Sequence, residues 1–159
     1  MSHAQTHQER WEEQGGYSPS TIAAIISGLV TAADIAKACG DNSNADIYLA
    51  RADQYSAQLE QLTFTNNGNL QQAPSDGQYY LRINSNEDPN DNSALELRNG
   101  QADTREGSVV DGGFLELVRY GVRKADHPAV LATLGEMDDL TLPDLTRVRY
   151  EFKTTSGQT

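Results

Sequence analysis

The residues of this chain best suited to chemistry lie in the stretch QERWEEQGGYSPST, residues 8–21. The single tryptophan, Trp11, stands between Arg10 and two adjacent acids, Glu12 and Glu13, just ahead of the glycine pair Gly15-Gly16. An apolar wall and a neighbouring like charge both disfavour ionisation of a carboxyl, so a tryptophan beside a doubled carboxylate suits keeping a proton on one of the two acids. A carboxyl held in that state can serve as a general acid. Adjacent side chains of an extended segment point to opposite sides, so Glu12 and Glu13 do not by themselves make an acid–base pair. The competing reading is a solvated lead-in to the helix that follows.

Other groups invite chemistry less strongly. Asp88, Asn90 and Asn92 have the i, i+2, i+4 spacing of a calcium loop, but Ser93 stands where the tight-turn glycine belongs and Asn99 where the bidentate glutamate belongs. A turn joining two strands explains the segment better, and no metal site is assigned. His3, His7 and His127 have no ligand spacing with one another or with cysteine, and His127 before Pro128 reads as a helix start. Tyr79-Tyr80 reads as strand packing, and Asp111 ahead of Gly112-Gly113 as a cap. The one cysteine, Cys39, excludes an internal disulfide and reads as a buried structural thiol at a helix end.

These groups must be carried by a modest framework. The chain has 159 residues, one compact domain by length, with 37% hydrophobic content. Its 23 acids against 12 bases give a net charge of −11, which argues against nucleic acid and anionic membrane as partners. No apolar run approaches the roughly 18 residues that span a bilayer. The polar start MSHAQTHQ is not a secretory signal.

The element order is mainly helical. Pro19 suits a first turn, and residues 21–38 are apolar around most of the wheel, which predicts a buried helix. Residues 43–62 carry Ile47, Leu49, Ala52, Tyr55, Leu59 and Leu62 at helical spacing, a one-sided helix returning antiparallel after Gly40. The region 8–64 is thus an acid loop followed by a helical hairpin. A β and loop insertion over 65–108 follows, in which QYYLRIN and ALELRNG pair as strands. A second helical pair covers 109–141, and 142–159 is an extended tail.

Three stretches, RWEEQGGYSPSTIAA, YYLRINSNEDPND and DGGFLELVRYGVRKADHP, occur in this order and resemble signature stretches of glycoside hydrolase family 15. The likeness is to its prokaryotic glucoamylase and glucodextranase branch and runs from about Gln8 to Phe152. It implies an (α/α)6 barrel of which 1–159 is a single partial domain, about four of twelve helices. It also implies exo-acting hydrolysis of terminal α-linked glucose with inversion, and no cofactor. Glu12 would be the general acid, Glu13 a substrate contact, Trp11 part of the sugar-facing wall and Arg10 a neighbour of the substrate. Inversion needs a second carboxylate roughly 6.5–9.5 Å away. In the family this base lies downstream of these residues, so the segment alone is expected to be inactive. Ile25 departs from the pattern, where relatives carry an acid. The resemblance suits a secreted or periplasmic parent and an α-glucan partner. Exposed inner helices predict self-association. The alternative is a stand-alone helical module kept for sugar binding or protein contact.

Overall fold

The computed structural model describes residues 4–70, 76–95 and 104–138. Within them lie helices α1 (Pro19–Ala38), α2 (Asn42–Thr63), α3 (Leu115–Arg119) and α4 (Pro128–Asp138). Four two-residue strands complete the order: β1 (Phe64–Thr65), β2 (Tyr79–Tyr80), β3 (Ala94–Leu95) and β4 (Thr104–Arg105). The tail expected over 142–159 and His3 lie outside the described residues.

The hairpin of α1 and α2 forms as its sequence directs. Ser18 holds the extended N-cap position and Pro19 the first turn, although Ser18 Oγ bonds Ser20 Oγ at 2.9 Å rather than the backbone. Gly40 ends α1 with φ +79. Its N–H donates to Lys37 O at 3.0 Å, and the Asp41 N–H donates to Ala36 O at 2.8 Å, a Schellman closure. Asp41 then caps α2 by accepting the Asn44 N–H at 3.1 Å. Three residues therefore end one helix and begin the next.

One face of each helix builds the core. Ile22, Ala23 and Ile26 of α1 and Ala52, Leu59 and Leu62 of α2 join Phe114, Leu117, Ala129 and Val130. The Tyr80 ring stacks on Phe114 at 6.2 Å and meets Phe64 edge-on at 5.2 Å. The other face of α1 is not covered: Ile35 is 61% exposed and Val30 is 41% exposed. This corrects the expectation of a helix buried all round. Ile47, assigned to the packed face of α2, is also exposed. So is Cys39, which sits at the Schellman corner rather than in the core. By length and composition α1 could cross a membrane, against the reading that no run is long enough. Its packing against α2 makes it a helix of the helical layer.

The insertion pairs differently from the expectation. Tyr79–Tyr80 pairs antiparallel with Phe64–Thr65 at the end of α2, and Ala94–Leu95 pairs with Thr104–Arg105. Two short ladders thus replace a pairing of QYYLRIN with ALELRNG. The polar loop between them closes on its own side chains: Asp88 Oδ1 accepts the Asn90 N–H, and Asn90 Oδ1 accepts the Asn66 N–H. Residues 109–122 are not one helix. A 3-10 turn at Gly112–Phe114 leads into the five-residue α3, because the glycine pair weakens helical propagation. An arginine fastens this region to α2. Arg123 donates to both carboxylate oxygens of Glu60 at 2.8 Å, and the Tyr80 hydroxyl donates to Glu60 Oε1 at 2.7 Å.

Candidate functional site

The acid loop is tied at its base and turned at its tip. Thr6 and Gly16 exchange both backbone hydrogen bonds at 2.9 Å. Inside that ring the Glu9 N–H donates to Gln14 O at 3.2 Å and the Glu12 N–H to Glu9 O at 2.9 Å. The glycine pair is sterically required. A Cβ at Gly15 would stand 2.9 Å from the carbonyls of Thr6 and His7, and one at Gly16, where φ is +150, would stand 2.3 Å from Asn84 O. That close approach lets Tyr17 and Asn84 exchange hydrogen bonds at 2.7 and 2.9 Å, while Asn84 Nδ2 donates to Leu62 O. The loop is thereby fixed to the end of α2 and the start of α1.

Glu12 occupies the turn with φ +57, a left-handed conformation that costs a non-glycine residue about 1–3 kcal/mol. It is exposed, and its side chain makes no hydrogen bond or ion pair among the described residues. Glu13 points the other way, 4% exposed, and accepts from Arg82 Nη1 at 2.7 Å. The two adjacent acids divide, one to solvent and one to the interior, through the left-handed turn at Glu12 and not through the alternation of an extended segment.

Beneath the loop lies a buried cradle of three carboxylates, Glu9, Glu13 and Asp111, of which the first two pair with Arg82. Glu9 Oε1 is 3.3 Å from Arg82 Nη2, and Glu9 Oε2 accepts the Trp11 backbone N–H at 3.0 Å. Asp111 Oδ2 accepts the Trp11 indole N–H at 2.8 Å, and its Oδ1 accepts the Gly113 N–H at 2.8 Å. Burial pushes the Glu9 carboxyl above its ordinary value of 4.5; the charges of Asp111 and Glu13 add to this, and the Trp11 N–H and Arg82 oppose it. Arg10 is exposed, with its guanidinium 5.5 Å from the Trp11 ring centroid.

The arrangement gathers Arg10, Trp11, Glu12 and Glu13, the four residues singled out by sequence, into one loop. It adds Glu9, Arg82 and Asp111 as the groups that hold the loop. Arg82 had a legible signal, since an arginine inside the apolar run YYLRI must find buried acids. Glu9 had none beyond its place in the stretch. Asp111 caps its turn as expected, but its bond to Trp11 spans 100 residues and no local pattern announces it. An open cleft of about 400 Å³ runs beside the loop between Glu9, Arg10, the first turns of α1, and Arg119 and Tyr120 of the α3 region. Trp11 and Glu12 do not line it.

Comparison with known proteins shows the family to which the chain belongs. The sequence profile of the Glycosyl hydrolases family 15 matches residues 2–155. A glucoamylase of Clostridium sp. (strain G0005) is 44% identical over 133 residues, which are 84% of this chain and 18% of that protein. The crystal structure of a bacterial glucoamylase complexed with acarbose matches with a TM-score of 0.81 at 43% identity, over 86% of this chain and 20% of that one. The chain belongs to glycosyl hydrolase family 15, and its mainly helical fold is part of the family's (α/α)6 barrel. It spans about a fifth of the length of these relatives.

Proposed function

We propose that this chain is the general-acid segment of an inverting, exo-acting α-glucosidase of glucoamylase type, acting on terminal α-linked glucose of an oligosaccharide or polysaccharide. Glu12 donates the proton to the leaving oxygen. Trp11 forms a wall for the sugar, with the Arg10 guanidinium over its ring. Glu13 contributes to the same corner from beneath, where it holds Arg82. The observation that carries this reading is Glu12 itself: an exposed, unengaged carboxyl in a left-handed turn, at the tip of a loop tied at both ends. Strained backbone of this kind is maintained where the surroundings over-determine it, and it clusters at working sites. The kinship with glucoamylases, one of them bound to acarbose, supports the substrate class.

The three buried carboxylates are engaged by Arg82 or by N–H donors, which leaves none of them positioned to activate water. The family resemblance assigns the base to a part of a family-15 barrel outside these residues, and no turnover is expected of the segment alone. The test is an exchange. This segment replaces the corresponding fifth of the Clostridium glucoamylase, and glucose release from maltooligosaccharides is followed. We expect the hybrid to release glucose and Glu12→Gln to lower kcat by about 10²–10⁴, the usual share of a general acid. Undiminished turnover in Glu12→Gln would remove Glu12 from the role. Sugar binding by the isolated chain without turnover, lost in Trp11→Ala, is the result expected of a stand-alone sugar-binding module.

A further inference from the structure

The tryptophan of the acid loop is held from two directions. Glu9, two residues before it, takes its backbone N–H at 3.0 Å. Asp111, 100 residues further on, takes its indole N–H at 2.8 Å. Asp111 is 4% exposed and sits at the cap of the turn that leads into α3. Its two oxygens have separate duties, Oδ1 to the Gly113 N–H and Oδ2 to the indole. The space for the carboxylate comes from Gly113, where a Cβ would stand 2.8 Å from Asp111 Oδ1. An aspartate used only as a cap needs one oxygen. The second, aimed at a half-buried indole across the fold, fixes the tilt of the ring about its side-chain bonds, which backbone ties alone leave free.

We propose that Asp111 is a positioning residue for Trp11: by holding the indole N–H it sets the ring plane that meets the sugar beside Glu12, and so couples the acid loop to the α3 segment. The sugar-facing part of this proposal rests on the function proposed above. The clamp itself does not.

Trp11 is the one tryptophan of the chain, so its fluorescence reports this contact without interference from another indole. Asp111→Asn is the informative variant. An amide has one oxygen, so it serves Gly113 or the indole but not both, and its NH2 opposes the remaining N–H. In the 159-residue chain we expect Asp111→Asn to raise acrylamide quenching of Trp11 and to lower its steady-state anisotropy. Unchanged quenching and anisotropy in Asp111→Asn and also in Asp111→Ala, which has no side-chain acceptor for the indole, would overturn the clamp. A double-mutant cycle provides a second reading, because it separates the Trp11 bond from the cap. The stability loss of Asp111→Asn should shrink when Trp11 is already phenylalanine, which lacks the donor. Equal losses in both backgrounds would show that Asp111 is a cap only. Titration with acarbose addresses the sugar. We expect Asp111→Asn to weaken binding roughly tenfold, the scale of one lost charge-assisted hydrogen bond. Full affinity in a variant whose indole has become mobile would overturn the positioning role. No binding by the unaltered chain would count against the sugar-binding reading, while the fluorescence and the cycle still decide the clamp.

Discussion

Two arginines join distant parts of this chain, and the carboxyls of Glu9 and Glu60 beside them are shifted in opposite directions. Arg82 lies under the acid loop, its side chain 1% exposed, and divides itself between Glu9 and Glu13. Arg123 lies at the rim of α2 and gives both prongs of its guanidinium to one carboxylate, Glu60, at 2.8 Å. Burial raises both carboxyls. At Glu60 it is outweighed by the hydrogen bonds of Arg123 and Tyr80, and the carboxyl lies below its ordinary value of 4.5. At Glu9 burial wins, with Asp111 and Glu13 adding to it. One cation shared among several buried acids does not neutralise them, whereas one cation matched to one acid does. The rim junction is a fastening. The cradle is a place where burial disfavours the charged form of Glu9.

The largest expected effect tests that contrast. Arg82→Met would leave Glu9 and Glu13 buried without their cation, at a cost of about 3–5 kcal/mol. That is much of the roughly 5–15 kcal/mol that holds a typical domain folded. Urea unfolding at pH 7 should show the loss in full. Near pH 4 it should shrink, since the stranded carboxyls can take up protons. A loss that is the same at both values would mean that Arg82 acts through packing alone. Arg82→Lys, which keeps the charge but not the two prongs, should fall between the two.

A smaller effect is expected at the rim, where solvent screens the pair. Glu60→Gln should cost about 1–2 kcal/mol at pH 7. The pH dependences of the two sites run in opposite directions. Glu60 is lowered, so its contribution is present above about pH 4.5 and is lost as the pH falls through the folded value. Glu9 is raised, so its contribution is full below about pH 4.5 and is lost as the pH rises through the folded value. The deficit of Glu60→Gln should therefore narrow in acid. Glu9→Gln, which imitates the protonated acid, should gain on the unaltered chain as the pH rises. Parallel profiles for the two variants would erase the distinction between cradle and fastening.

The unequal legibility of the two halves has the same origin. Pro19, Gly40 and Asp41 announce α1, its end and the start of α2, because caps and helix ends are set by neighbouring residues. The loop was legible too, since Trp11, Glu12, Glu13 and the glycine pair are contiguous. Glu9, Arg82 and Asp111 were not assembled by inspection, as the contacts among Arg82, Glu13, Trp11 and Asp111 cross 69 and 100 residues. The strand pairing failed for a related reason. YYLRIN has strand content, but whether it joins the end of α2 or the later ALELRNG is decided by tertiary packing, including the Thr133 hydroxyl that accepts the Tyr80 N–H. The 109–122 segment shows periodic apolar residues but forms only the five-residue α3, because Gly112-Gly113 and the Asp111 cap impose a turn first. Cys39 and Ile35 were expected inside because α1 is apolar all round. Its uncovered face is what a helix drawn from a larger barrel presents when only about a fifth of that barrel's chain is present.

That uncovered face provides the smallest of these effects, and one whose sign changes with context. Among the described residues, and apart from the helix's own backbone, nothing lies within 4 Å of a Cβ placed on Gly28, midway along α1. In this chain Gly28→Ala meets no obstacle and gains helix propensity, so thermal melts should show stabilisation of about 0.5–1 kcal/mol. Carried in the hybrid with the Clostridium glucoamylase, the same methyl would meet whatever helix packs on that face. There the gain should vanish or reverse, because a closely packed interior does not absorb an added methyl without strain. Stabilisation of equal size in both settings would mean that this face of α1 stays open in the larger protein as well. The uncovered side of α1 would then be a surface of its own and not the mark of a missing neighbour, which would favour the stand-alone module over the barrel segment.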